Sequence, residues 1–359
     1  MNWLKSTILN KNFWFTRYSY DTTPSELSVT IVIPAWNEED FIGDTIKSIM
    51  SQTYPCEIIV VDDSSTDSTK EIAETYGVKV ITTDVNQGSK SQALNYSLPH
   101  IDTDIFICVD ADTVLKKNSV ENLMKAFNDD NTMVACGFVL SKNKQNFWES
   151  ARYGEYIAGQ SIVKSAQQNA NFVLVASGCF FGIRTPFLKK HKFNDRTMAE
   201  DMDLTWVAIE NGHRVTFVED AYCYVSDPDN MKTYDKQVSR WYRGLFQNIK
   251  ERNFNLFTGS LKLGLVAYSY ILMNLVGIPM IIILTILFPH IIAPMVFWIS
   301  VMFMIVAFYG IKRGENVLSY PKHFINYIVI MFFTYYIFVR SLIQELILGK
   351  KLDKWIKGH

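Results

Sequence analysis

Three short clusters carry residue types that could act together on one substrate: Asp110-Ala111-Asp112, Glu200-Asp201, and Gln237 with Arg240 and Trp241. Asp110 and Asp112 follow the apolar run at 104–109 (DIFICV). Residues i and i+2 of an extended chain point to the same side, so the two carboxylates are expected to face one space. Such a pair holds a hard divalent cation such as Mg2+, which takes one or two carboxylates and completes its shell with substrate phosphate oxygens. The ion would neutralise charge building on a leaving diphosphate. Alone, an Asp-x-Asp is commonplace in loops; its place after a buried strand and its companions give it weight.

Glu200-Asp201 stands just before a helical pattern with Leu204, Val207, Ala208 and Ile209. Carboxylates there often do no more than cap the helix. The functional reading makes Asp201, with Glu200 beside it, the general base that takes a proton from an acceptor hydroxyl. Asp203 is then assigned to capping or to the surface. Gln237, Arg240 and Trp241 fall at i, i+3 and i+4 and share one helix face. Arg240 can pair with pyrophosphate oxygens, and Trp241 offers a flat apolar wall for a sugar ring. The plainer reading has Arg and Trp anchoring an interfacial helix in lipid headgroups. Taken together, the clusters suit transfer of a sugar from a charged diphosphate to an uncharged hydroxyl.

The elements that must position these residues alternate over the first 225 residues. Short β-branched or apolar runs at 28–34 and 57–61 read as buried strands, and those at 78–82 and 104–109 as a third and a fourth strand. Apolar residues at helical spacing place helices over 40–52, 68–76 and 92–98. This alternation predicts an α/β fold with a mainly parallel, doubly covered sheet. Ligands of such sheets sit beyond the carboxyl ends of the strands. Asn37-Glu38, Asp62-Asp63 and Asp110 with Asp112 all fall at those ends.

Composition narrows the class. The 359 residues carry 35 basic and 36 acidic side chains, a net charge of −1. That excludes a dedicated nucleic-acid binder, which needs an excess of Lys and Arg. Five cysteines, all before residue 224, show no metal-ligand spacing and read as thiols of a reducing cytosol. No cleavable signal peptide is evident, and the aromatic, basic stretch 1–25 reads as an interfacial leader.

The α/β region is expected over 26–226, and a mixed basic and aromatic stretch over 227–260 has the composition of helices lying in a membrane interface. Residues 261–349 follow as two or three transmembrane helices, with apolar segments near 263–288, 290–311 and 324–348. Each approaches the ~20 residues that spanning requires. Arg340, Gln344 and Glu345 place the end of the third span near Val339. The basic tail 350–359 favours the cytosol by the positive-inside tendency, as does the loop with Lys312, Arg313, Lys322 and His323. Two crossings satisfy a cytosolic tail; three put it outside.

In the order and spacing of these motifs, residues 28–255 resemble the processive, membrane-integrated members of glycosyltransferase family 2: the poly-N-acetylglucosamine, chitin-oligosaccharide, hyaluronan and cellulose synthases. The resemblance implies a GT-A (Rossmann-like) domain, a nucleotide-diphosphate sugar donor, Mg2+ or Mn2+, and inversion of the anomeric centre in one displacement. It assigns Pro34, Ala35, Asn37 and Glu38 of Pro34-Ala35-Trp36-Asn37-Glu38, together with Asp62 and Asp63, to the nucleoside pocket. Gly88-Ser89-Lys90-Ser91-Gln92-Ala93-Leu94-Asn95 resembles the family's Gly-Gly-Lys-Ala-Gly-Ala-Leu-Asn segment, which makes Lys90 a donor-binding cation, with Asp110 also at the donor. Asp110 and Asp112 match the metal motif, Glu200-Asp201 the motif that supplies the base. Ser177-Gly178-Cys179 resembles the stretch lining the acceptor site, and Gln237, Arg240 and Trp241 match the Gln-x-x-Arg-Trp motif that supports acceptor and leaving diphosphate.

The context Glu200-Asp201-Met202-Asp203-Leu204-Thr205-Trp206 looks closest to the poly-N-acetylglucosamine branch, which points to UDP-N-acetylglucosamine as donor and a growing polysaccharide as acceptor. The alternative is a single-addition enzyme resembling ceramide glucosyltransferases, with a lipid acceptor. Either implies an integral protein of the plasma membrane, in contact with membrane lipids, whose catalytic domain faces the cytosol. The sequence departs from the family pattern in lacking clear spanning helices before the catalytic domain. Secretion of a long polymer would then call for homo-oligomers or partner subunits.

Overall fold

A computed structural model describes residues 23–257, 259–312 and 320–350. Most of the expected leader (1–22), residues 313–319 of the basic loop and the tail from 351 lie outside the described residues. Two compact units divide the chain: residues 23–142 with Lys164–Ser226, and Asn143–Val163 with residues 227–350.

The first unit is built on β1 (Val29–Ala35), α1 (Ile42–Met50), β2 (Glu57–Asp62), α2 (Thr69–Thr75), β3 (Lys79–Thr82), α3 (Lys90–Ser97), β4 (Ile105–Val109), β5 (Val114–Leu115), α4 (Ser119–Met124) and β6 (Thr132–Ser141). Its eight strands order as β3-β2-β1-β4-β7-β6-β8-β5. The N-terminal half meets the sequence expectation: β1 runs parallel to β2 and β4, and β2 parallel to β3. Strand order reverses at β1, the crevice where sheets of this kind bind ligands. The four strands read from the sequence are observed with ends shifted by a residue or so, because β-branched runs such as Val29–Ala35 are buried on both faces. Pro34 fits because β1 and β4 pair only as far as Val32↔Cys108, so no β4 carbonyl needs its missing N–H.

The other half was not legible as a parallel repeat. Beyond the second unit's α5 (Phe147–Ala158) come α6 (Ser165–Asn169), β7 (Phe180–Arg184), α7 (Thr185–His191), α8 (Glu200–Glu210) and β8 (Arg214–Val225). Strand β7 runs antiparallel to both β4 and β6, whereas β6 and β8 are parallel. The sheet is therefore mixed. The β6–β8 register shifts between Cys136 and Phe138, and a Cβ on the intervening Gly137 would lie 2.3 Å from the Ala221 carbonyl oxygen.

The second unit continues with α9 (Met231–Glu251), α10 (Leu261–Leu272), α11 (Ile278–Leu287), α12 (Ile292–Lys312) and α13 (Tyr320–Leu342). Ala151 of α5, Tyr234 and Val238 of α9, and Ile330 and Ile337 of α13 form its core, with Trp148, Trp241 and Phe333 packed against them. Among the described residues, Leu261–Leu287 and Tyr320–Ile347 are long and apolar enough to cross a membrane; Pro289–Val301 is a shorter apolar helix. The charges expected to end the last segment near Val339 are internally paired instead. Arg340 Nη2 donates to Asp235 Oδ1 and Ser239 Oγ, both at 2.5 Å. Glu345, 2% exposed, accepts from Arg243 Nε at 2.9 Å and Gln247 Nε2 at 3.0 Å. Paired charges are far cheaper to remove from water than lone ones, so the helical stretch runs on to Ile347.

Candidate active site

The carboxyl ends of β1 and β2 shape the first part of the site. Asp63 N–H donates to the Ala35 carbonyl at 2.8 Å, which ties the two strand ends together. The chain then turns sharply at Asn37, whose φ of 54° an Asn tolerates better than most side chains. Asn37 Oδ1 accepts from Thr66 N–H at 2.8 Å, and its own N–H donates to Ser65 Oγ at 3.0 Å. Glu38 is buried, with its N–H on Thr69 Oγ1 at 2.7 Å. The Asp63 carboxylate accepts from Thr83 Oγ1 and from Gln87 N–H, both at 2.9 Å, while Asp62 Oδ1 accepts from Ser65 N–H at 3.3 Å. Pro34, Ala35, Asn37, Glu38, Asp62 and Asp63 thus stand at two adjacent strand ends.

Lys90 ties the next part together. It is the first residue of α3, behind the N-cap Ser89, whose side chain accepts from Gln92 N–H. Its Nζ lies 2.5 Å from Asp110 Oδ1, 2.9 Å from the Gly178 carbonyl oxygen to which it donates, and 3.8 Å from Glu200 Oε1. Burial on its own would lower the ammonium's pKa, but the Asp110 carboxylate, seconded by Glu200, outweighs it and raises the value well above that of an ordinary lysine. One fixed positive charge therefore joins α3, the end of β4, the approach to β7 and the start of α8.

Asp110 and Asp112 are not on an extended chain as expected. β4 ends at Val109, and Thr113 N–H donates to the Asp110 carbonyl at 3.0 Å, closing a turn through Ala111 and Asp112. Asp110 N–H donates to the Cys179 carbonyl at 3.2 Å, which anchors that turn to the neighbouring strand. Among the described residues no third Asp, Glu, His or Cys joins them as a metal group. Two hard carboxylate donors without a protein-made shell suit an ion that takes its other ligands from phosphate and water. The donor set fits Mg2+ or Mn2+.

Glu200 and Asp201 open α8, and the N-cap position is Ala199, which offers no side-chain cap. Asp201 itself takes up one of the free first-turn donors, through one oxygen only. Asp201 Oδ2 accepts from Gly178 N–H at 2.8 Å and Oδ1 from Met202 N–H at 2.8 Å. Two backbone donors orient the carboxylate and leave each oxygen a further acceptor site. Gly178 is required by closeness: a Cβ there would lie 2.9 Å from Asp201 Oδ2. Asp203 differs from the sequence reading. It is buried, and Arg196 Nη2 donates to both of its oxygens at 2.8 and 3.1 Å, which ties α8 to the loop before it.

Ser177 Oγ accepts from Lys164 Nζ at 2.7 Å, a contact that no local motif announced. Cys179 serves through its backbone. Its Sγ sits 4.0 Å from that of Cys223, and this thiol–thiol contact, with burial, pushes the Cys179 pKa well up, so it is no nucleophile at neutral pH.

Gln237, Arg240 and Trp241 lie on α9 of the second unit. Gln237 Oε1 is a buried acceptor with no donor among the described residues, the kind of group that a substrate hydroxyl satisfies. Trp241 packs against the core formed by Ala151, Tyr234 and Val238 while remaining half-buried. Its ring also meets Arg152, a residue that local sequence gave no reason to single out.

Residues 30–192 match the family model for glycosyl transferase family 2, and the chain carries that family's domain. A hyaluronan synthase of Streptococcus pyogenes is 30% identical over 246 residues, which make up 62% of this chain and 58% of that one. A poly-beta-1,6-N-acetyl-D-glucosamine synthase of Staphylococcus aureus is 27% identical over 268 residues, 68% of this chain and 65% of that one. The chain thus spans less than two thirds of the length of either relative. Among solved structures, the mannosyltransferase PcManGT from Pyrobaculum calidifontis in complex with GDP-Man and Mn2+ superposes with a TM-score of 0.62 at 16% identity. The match covers 92% of this chain and 91% of that one. At that identity the likeness concerns the fold, and the GT-A architecture expected from the sequence is the one found.

Proposed function

We propose that this chain, with its glycosyltransferase family 2 domain, is a membrane-bound inverting transferase that moves N-acetylglucosamine from UDP-N-acetylglucosamine to the hydroxyl of a growing polysaccharide. The observation that carries the reading is the cluster at the end of β4, where Lys90 joins Asp110, Gly178 and Glu200 and Gly178 orients Asp201. The polymer reading draws on the two synthases to which the chain is similar.

In this mechanism Asp110 and Asp112 hold the divalent ion, which supplies neutralisation of the diphosphate leaving group. Asn37, Glu38, Asp62 and Asp63 receive the nucleoside at the ends of β1 and β2. Lys90 contributes a fixed positive charge near the diphosphate, and Arg240 adds bidentate hydrogen bonds of the kind a guanidinium makes to phosphate. Asp201 takes the proton from the acceptor hydroxyl as its oxygen attacks the anomeric carbon, so that one displacement inverts the centre. Gln237 and Trp241 hold the acceptor sugar, the first through its buried carbonyl oxygen, the second through its ring. Lipid surrounds Leu261–Leu287 and Tyr320–Ile347, and two crossings leave the catalytic unit and the basic tail on the cytosolic side.

The test is a donor panel on purified membranes, offering the UDP forms of N-acetylglucosamine, glucose, galactose and glucuronate. UDP release is expected with the first, abolished by a chelator, restored by Mg2+ or Mn2+, and lost in Asp112→Ala. A ladder of oligosaccharides cut by linkage-specific glycosidases marks the polymerase; one glycolipid marks the single-addition alternative. Failure of all four donors to yield UDP would remove the proposal.

A second expectation concerns Gly178. In Gly178→Ala the new methyl pushes the Asp201 carboxylate by a few tenths of an ångström, and transfer falls about 10-fold, less than the ~100-fold that a full 1 Å misplacement costs. Steady-state rates with a melting curve check it; parental turnover would show that this contact does not set the base.

A further inference from the structure

Arg152 belongs to none of the sequence motifs, yet its side chain, on α5, is only 1% exposed. The guanidinium lies 4.6 Å from the centroid of the Trp241 ring and 4.5 Å from that of Tyr156. Its plane is pinned at three points. Nη1 pairs with Glu155 Oε2 at 2.7 Å, Nε with Asp227 Oδ1 at 3.4 Å, and Nη2 donates to the Tyr156 hydroxyl at 2.7 Å. That hydroxyl in turn donates to Asp227 Oδ1 at 3.1 Å.

A role in packing alone does not explain this arrangement. Burying an ion pair is often no better than burying hydrophobic residues of similar volume. What a guanidinium adds is a planar, permanently charged surface against which an indole face settles. Trp241 is half-buried, so part of the ring stays open while Arg152 covers another part.

We propose that Arg152 is a positioning residue, whose guanidinium, locked by Glu155, Tyr156 and Asp227, sets the orientation in which Trp241 meets the acceptor sugar. The inference rests on the reading of Trp241 given above and names the group that fixes its ring.

The test uses the full chain in membranes. The fluorescence of Trp241 is isolated as the difference between each chain and its Trp241→Leu counterpart. Arg152→Met is expected to shift that difference spectrum and to raise its acrylamide quenching. UDP release from UDP-N-acetylglucosamine is expected to fall about tenfold in Arg152→Met, but less than about twofold when the same change is made in Trp241→Leu, because residues acting through one contact are not additive. Arg152→Lys, which keeps the charge and loses the plane, is expected to recover part of the rate. Should Arg152→Met fail to fold, Arg152→Lys and Tyr156→Phe carry both comparisons.

An unchanged difference spectrum overturns the proposal, and so do losses that multiply in the double variant. If the spectrum shifts while Trp241→Leu keeps full turnover, the acceptor role of Trp241 falls instead, and the functional half of the proposal with it. If the donor yields no UDP in the parent chain, the spectrum still decides whether Arg152 holds the ring.

Discussion

Asp201→Asn is expected to fold like the parent and to transfer sugar about 10²- to 10⁴-fold more slowly, the range that a positioned base contributes. The substitution keeps the side chain's shape. Its amide oxygen can still accept from either Gly178 N–H or Met202 N–H, but not from both, since the NH2 group turns toward the other. The structural cost is about 1.5–3 kcal/mol, the usual net worth of one hydrogen bond to a charged group. The chemical cost is larger, because an amide cannot take the acceptor proton. Melting curves and metal-dependent UDP release, read on the same preparation, separate the two. Undiminished turnover in a folded variant would withdraw Asp201 from the base role.

Lys90→Met is the second large effect, and it strikes stability and activity together. Lys90 is the cation beside both Asp110 and Glu200, and Glu200 is buried. Removing the cation costs about 1–3 kcal/mol, less than for a wholly buried pair because the Asp110 side chain is 33% exposed and Glu200 lies 3.8 Å away. For the first unit, each kcal/mol lowers the melting temperature by about 2–4 °C, the range for about 150–250 residues. The Lys90 pKa is raised on folding, so the pairing stabilises fully at neutral pH and weakens only in strong alkali, as the pH climbs through the folded value. Transfer is expected to fall at least about 10²-fold, since the cation and the geometry of Asp110 and Gly178 are lost at once. Lys90→Arg should restore part of the stability. A Lys90→Met chain that melts with the parent would show that the ammonium does not hold these elements together.

The difference between what the sequence disclosed and what it hid follows the range of the interactions. Strands β1, β2 and β4 were readable because burial on both faces leaves an unbroken apolar run, a property of consecutive residues, whereas β3, partly exposed at the sheet edge, was readable from its β-branched Val80-Ile81-Thr82. The motif residues at their ends were readable for the same reason: a strand that stops tells where its ligand-facing loop begins. β7 was hidden, because whether Phe180–Arg184 runs with or against β4 is decided by partners far along the chain. The geometry of Asp110 and Asp112 was misjudged: the strand does end at Val109 as read, but nothing local shows that the chain then closes a turn instead of running on extended.

Long-range pairing explains the remaining surprises. Asp203 looked like a helix-start carboxylate until Arg196 claimed it. Lys164, bonded to Ser177, and Arg152, stacked on Trp241, are ordinary residues in their own helices. Their partners lie 13 and 89 positions away, counting 177 − 164 and 241 − 152. Even the charges that seemed to cut the last apolar helix short are matched by α9, and only the folded chain reveals the match.

Those matched charges carry a mechanical consequence. Asp235, Ser239, Arg243 and Gln247 recur every four residues along α9, and they meet Arg340 and Glu345 as a two-pin plug with opposite polarity at each pin. Sliding α9 by one turn would bring Arg243 toward Arg340, so the register of the helix that bears Gln237, Arg240 and Trp241 is keyed electrostatically. A version trimmed of its apolar last helix would leave both sockets empty, and the Gln-x-x-Arg-Trp helix would lose its alignment before any loop bearing Asp110 or Asp201 had been touched.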